Sequence, residues 1–281
     1  MSLNDKKKSE REKRGQISIK DLEPYLNCST HDLIDMLIHK KARIRTIAAT
    51  ILGNNKNEKA IGALCKALKN EKSLYSRIAI SESLGKMGEA AVVPLTRLLG
   101  QIGNNQEKTL PKKYFNKKSY PLVRDMAART LVKIGKPSTN YIIQVLEENP
   151  DIFIKQQAID ALGSLTAKTG NYDALKIIIV YFDDYVCNKK NSDKLTLWKL
   201  IRSLSAFKNS QKAANRLLMV FNCFSDPPLI WEAARSLGQI GVKSLEIIES
   251  LTKLEENENE EIKKAAKIAL FSLEYNYNNE Y

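Results

Sequence analysis

The stretch Arg45-Thr-Ile-Ala-Ala-Thr-Ile-Leu-Gly53 recurs along the chain in altered form. It returns as Arg77-Ile-Ala-Ile-Ser-Glu-Ser-Leu-Gly85 and Arg124-Asp-Met-Ala-Ala-Arg-Thr-Leu-Val132. It returns again as Lys155-Gln-Gln-Ala-Ile-Asp-Ala-Leu-Gly163 and Ile230-Trp-Glu-Ala-Ala-Arg-Ser-Leu-Gly238, and weaker copies end at Ser205 and Phe271. If the last residue of each copy is its register position, the spacings are 32, 47, 31, 42, 33 and 33 residues. The basic period is therefore 31–33 residues, with two copies expanded. A fixed period of this length is the mark of a repeat architecture.

Each period holds two helical patterns. An apolar residue five before the register and Leu one before it place a small and a large side chain on one face. Twelve before the register stand Ser73, Asp151, Asp193, Asp226 and Asn259, all good N-caps, whereas Lys41 and Tyr120 break the rule. Gly88, Gly135 and Gly241, three after the register, read as helix stops. Pro227 and Pro228 follow the Asp226 cap, where a missing N–H costs least. No alternating strand pattern of useful length is present.

The pattern Arg-x-x-Ala-Ala-x-x-Leu-Gly-x-x-Gly, behind a capped start, resembles the short HEAT-like repeats first named from phycobilisome lyases. The resemblance covers residues 21–276. It implies an all-α fold, a right-handed α-solenoid of about seven helical hairpins, whose second helices line the concave face. The expected organisation is a basic disordered arm at 1–20, one solenoid over 21–276 with an insertion at 104–120, and a tail at 277–281.

The resemblance does not fix a function, because one fold hosts many. HEAT-like hydroxylases bind iron through repeated His-Glu dipeptides. This chain has two His and no such dipeptide, so that activity is excluded. Motifs of serine hydrolases, P-loops and zinc proteases are absent too. HEAT-like DNA glycosylases use Trp, Arg and Asp on the concave face, and the local motif around theirs is not recognisable here. No cofactor, no metal and no catalytic residue is expected.

The 281 residues carry 45 Lys+Arg against 32 Asp+Glu, a formal net charge of +13. Residues 1–136 hold a net +15 and residues 137–281 a net −2, so the excess is N-terminal. Such a half attracts an acidic protein, a nucleic acid or another anionic surface. Cys28, Cys65, Cys187 and Cys223 form no CxxC pair, and reduced thiols in a cytoplasm are expected. No apolar run reaches membrane-spanning length, so no membrane partner is expected.

Two features point to partners. Three before the register stand Thr50, Glu82, Arg129, Asp160, Arg202, Arg235 and Ile268. Six of these seven are polar, so a solvent-facing stripe is expected. One turn earlier fall the only two tryptophans, each four residues ahead of an arginine: Trp198 with Arg202, Trp231 with Arg235. Trp and Arg dominate binding hot spots. Two readings stand: the rings line a binding groove, or they pack between helices with Arg lying across them.

The second feature is the insertion at 104–120, where Lys108, Lys112, Lys113, Lys117 and Lys118 oppose one Glu, with Tyr114, Phe115 and Tyr120 interleaved. It is expected to project from the solenoid edge as a basic rim, beside a second insertion around 183–192. Covering the edge as a solvated loop is the other reading. Arg45, Arg77, Arg124 and Lys155, eight before the register, are expected to pair with cap carboxylates. Together these features describe a non-enzymatic scaffold that binds another protein, one with an acidic patch. Nucleic-acid binding through the basic half is the alternative.

Overall fold

The structure, a computed structural model, describes residues 3–103, 105–114, 119–187 and 193–278, with side chains from 8 to 274 within those limits. The described residues are helical, with no strand among them. They form two compact units: residues 1–104 with 124–141, and residues 105–123 with 142–281. Each is a stack of helical hairpins, so the fold is an all-α helical-repeat solenoid.

The first unit holds α1 (Leu3–Lys13), α2 (Thr30–Met36), α3 (Ala42–Asn54), α4 (Ile61–Asn70), α5 (Leu74–Lys86), α6 (Val92–Thr96) and α7 (Met126–Ile134). Here α3, α5 and α7 pack side by side as second helices, while α2, α4 and α6 pair with them as first helices. The approach is close because the register residue is glycine: a Cβ on Gly53 would lie 2.6 Å from Ser83 Cα. Ser83 Oγ uses that proximity to donate to Ala49 O at 2.6 Å. Arg45 pairs with a carboxylate, though not that of a helix N-cap: it holds Glu71 with two nitrogens at 2.7 and 2.8 Å, two residues ahead of the Ser73 cap. Arg77 donates to the Glu71 carbonyl instead, and Lys155 to the Tyr181 hydroxyl.

Two expectations need correction in this unit. Residues 3–13, read as part of a disordered arm, form α1, which packs on α3, and Tyr75 N donates to Arg14 O just beyond it. The cap of α7 is not Tyr120, twelve before the register, but Asp125, which accepts from Ala128 N at 2.8 Å and Gly100 N at 2.9 Å. The cap of the third second-helix thus stands seven residues before its register, which is why Tyr120 broke the cap rule.

The helix α8 (Thr139–Glu148) follows, and the second unit continues with α9 (Ile152–Thr169), α10 (Leu175–Cys187), α11 (Lys194–Leu204), α12 (Gln211–Cys223), α13 (Pro227–Ile240), α14 (Leu245–Leu254) and α15 (Glu260–Asn278). The second helices α9, α11, α13 and α15 form one row, each packed on the next, while α10, α12 and α14 back them. The caps read from sequence stand where expected. Asp151 accepts from Phe153 N, Asp193 from Leu195 N and Asn259 from Glu261 N. Gly241 ends α13 in the left-handed region at φ 81°. A Cβ on Gly238 would sit 2.6 Å from Ala269 Cα, so α13 and α15 pack nearly backbone to backbone.

Candidate functional site

The site is the face of α11 and α13 in the second unit, together with the insertion. Trp198 and Trp231 fall at the same register on adjacent helices, so the fold sets their rings side by side. Their centroids are 6.2 Å apart at an interplanar angle of 76°. The Arg202 guanidinium lies 4.3 Å above the Trp198 ring, a cation–π geometry.

Neither ring is open to solvent: each is 1% exposed. The stripe is not solvent-facing in this unit either, since Asp160, Arg202 and Arg235 are all buried. The described residues of the insertion lie against this face rather than projecting from it as a rim. They cross the second-helix face. Tyr114 meets Trp231 edge to face at 5.5 Å, and its backbone N donates to Glu261 Oε2 on α15 at 2.9 Å. Glu107 reaches α11, with Oε2 3.5 Å from Lys199 Nζ and Oε1 3.6 Å from Arg202 Nη1. Tyr120 packs against α9, where a Cβ on Gly163 would lie 2.6 Å from its Cζ. On this face the Tyr114 ring gains an edge-to-face contact and Glu107 gains two cations, which draws the segment inward.

Beneath the insertion lies an ion network that the sequence stripe showed only in part. Asp160 accepts from Lys199 Nζ and Arg202 Nη2, both at 2.5 Å. Arg235 pairs with Glu232, one turn back on α13. Burial alone would raise the Asp160 carboxyl, but Arg202 and Lys199 overcome it and hold it below its ordinary value. For Arg202 burial works to lower the guanidinium and Asp160 outweighs it, so the group stays firmly cationic. Burial pushes the Tyr114 hydroxyl up to about 12 and Tyr120 higher still, the latter helped by the Asp160 charge. Lys199, 0% exposed, and Glu232 were missed from sequence. Both stand six before the register, where the other copies carry Ile47, Ala79, Met126, Gln157 and Ala265. A charge at a mostly apolar register was the available signal.

The network is not fully satisfied. Tyr114 Oη, Tyr120 Oη, Trp198 Nε1, Arg202 Nε, Glu232 Oε2 and Arg235 Nη1 are buried without a protein hydrogen-bond partner among the described residues. Each such atom costs about 1–3 kcal/mol. Buried unpaired polar groups are rare in proteins, and six in one cluster mark it as unusual.

Of the other sequence-selected residues, Lys108, Lys112 and Lys113 are exposed on the insertion. Phe115, Lys117 and Lys118 lie outside the described residues, as do 188–192 of the second insertion. Arg129 belongs to the first unit, half-buried on α7, where burial lowers it and Asp125 opposes that. The first unit also carries an open groove of about 510 Å³ lined by Ile34, Leu37, Ile38, Ala63 and Lys66. Among the described residues no cluster of His, Cys, Asp and Glu could hold a metal ion, and no helix is long and apolar enough to cross a membrane.

No family model and no curated protein matches the sequence. Similar solved structures include a designed armadillo repeat protein in complex with the peptide (KR)4, at 14% identity and a TM-score of 0.42, covering 86% of this chain and 98% of that one. An engineered protein, structural-genomics target OR497, is 17% identical with a TM-score of 0.42, covering 97% of this chain and 76% of that one. Human deoxyhypusine hydroxylase in complex with glycerol is 14% identical with a TM-score of 0.38, covering 96% of each chain.

Proposed function

We propose that this chain is a non-enzymatic protein-binding module that holds an extended segment of a partner polypeptide across the second helices of its second unit. One observation carries the reading: that face already accepts an irregular stretch of polypeptide by specific side chains, Glu107 on Lys199 and Arg202, Tyr114 on Trp231. A face that holds its own chain this way offers buried aromatic and Arg anchors, the residue types that dominate protein interfaces. The exposed Lys108, Lys112 and Lys113 supply a basic margin for a partner with an acidic patch. The free thiols of Cys28, Cys65, Cys187 and Cys223 support a reducing, cytoplasmic setting.

The +15 of residues 1–136 favours nucleic acid as the second reading. Selection of displayed peptides against the full chain separates the two. Both tryptophans lie on the face in question, so a bound peptide changes intrinsic fluorescence. The expected result is enriched peptides that shift the emission. If no peptide is enriched, and oligonucleotides bind with an affinity that falls steeply as salt rises, the second reading replaces the first.

A further inference from the structure

We infer that the partner segment carries a carboxylate seven residues ahead of a tyrosine and binds in place of the chain's own Glu107–Tyr114. This rests on the protein-binding reading above and names the chemistry of its ligand.

The spacing follows from the fold. Glu107 contacts α11, while Tyr114 contacts α13 through Trp231 and α15 through Glu261. Seven residues reach roughly 23 Å when fully extended, and bends at Thr109, Lys112 and Lys113 shorten that reach toward the crossing distance. Packed helices lie about 8–10 Å apart, so crossing from α11 to α15 takes roughly 20 Å. Residues 105–111 are neither helix nor strand, in keeping with a chain running across the helix row. The recognition elements are then a cationic pair for the carboxylate and an indole face for the ring.

The Glu107 carboxylate holds these two cations at long range. It stands 3.5 and 3.6 Å from them, whereas Asp160 sits at 2.5 Å from the same two side chains. Charge-assisted contacts close to about 2.7–2.9 Å when geometry allows. The Tyr114 hydroxyl, the Trp198 indole N–H and Arg235 Nη1 stay without a protein partner among the described residues. Lys108, Lys112 and Lys113 of the same stretch are exposed. A resident carboxylate held at such distances is open to replacement by a free segment that carries the same two groups.

The test uses the full chain and a labelled decapeptide with the sequence of residues 105–114. The variant Glu107→Gln/Tyr114→Ala removes the resident anchors. A tethered competitor weakens apparent binding by the fraction of time it occupies the site, so the variant should bind the decapeptide roughly 10-fold or more tightly than the unaltered chain. A decapeptide with Gln and Ala at the same two positions should lose that affinity. In the unaltered chain, excess decapeptide should speed tryptic cleavage after Lys112 and Lys113. Equal affinity of folded variant and unaltered chain, or indifference to the peptide's Glu and Tyr, overturns the inference. If the variant loses its helical circular dichroism, the unaltered chain decides, and unchanged cleavage overturns the inference. Selected peptides that bind without competition from the decapeptide would sink the inference and leave the protein-binding reading intact. Failure of every peptide would sink both.

Discussion

At the scale of single residues, the cluster under the insertion makes opposite demands on neighbouring side chains. Asp160 compensates two buried cations. Asp160→Asn leaves Lys199 and Arg202 short of a counter-charge, and removing one member of a buried pair costs about 3–5 kcal/mol. Urea titration should show that loss as a lower midpoint at unchanged slope. Tyr120 is the reverse case. Its hydroxyl is buried and meets no protein partner among the described residues, so the group contributes desolvation cost without return. Tyr120→Phe should raise stability by about 1 kcal/mol in the same titration. A loss instead would show that the hydroxyl is bonded. Neither role was readable from composition. Asp160 and Arg202 share a register in adjacent copies, which made their proximity legible, but both are buried, and Arg202 also meets Glu107, far away in sequence.

At the scale of elements, the repeat was legible because its rules are local. Caps, the small-and-large face and the glycine stops each act within one turn, and the helices start at Asp151, Asp193 and Asp226 as the sequence implies. What one turn cannot report is how near the next helix comes. Gly53, Gly85, Gly163 and Gly238 share a register. Yet a Cβ on Gly85 meets only the Lys133 side chain, no nearer than 3.6 Å, while one on Gly238 meets the Ala269 backbone at 2.6 Å. Gly238→Ala must therefore push α13 from α15 and should cost about 1–3 kcal/mol. Gly62, on α4, has nothing within 4 Å of its built Cβ, and Gly62→Ala should gain up to about 1 kcal/mol through helix propensity. Paired thermal melts check the contrast, and equal shifts would show that the α13–α15 contact is looser than drawn. The insertion defeated local reading for the same reason. It has no period, so its composition suggested a basic rim, while its path was decided by partners on α9, α11, α13 and α15.

At the scale of the whole molecule, charge is the property that the sequence states most openly and explains least. The count of +13 does not distinguish surface lysines from groups already committed to partners. Two carboxylates of the first unit show how placement turns charge into pH-dependent stability. Glu71 feels burial most, which raises it, yet Arg45, Ser76 and Ser73 overcome that and hold it down to about 2 against an ordinary 4.5. Its contribution is present above the unfolded value and is lost as pH falls from 4.5 toward about 2. Asp125 moves the other way: burial dominates and lifts it to about 6 from 3.8, against the hydrogen bonds from Ala128 and Gly100. The native state then keeps a proton that the unfolded chain has released, so stability falls as pH rises between 3.8 and about 6. A displacement of this size corresponds to about 3 kcal/mol. Denaturant midpoints measured across pH 3 to 8 should therefore show a decline through the Asp125 interval. In Asp125→Asn, whose side chain does not titrate, that decline should flatten whatever the variant's absolute stability. If it persists unchanged, Asp125 is ionised at an ordinary pH and the buried cap of α7 carries its charge without penalty.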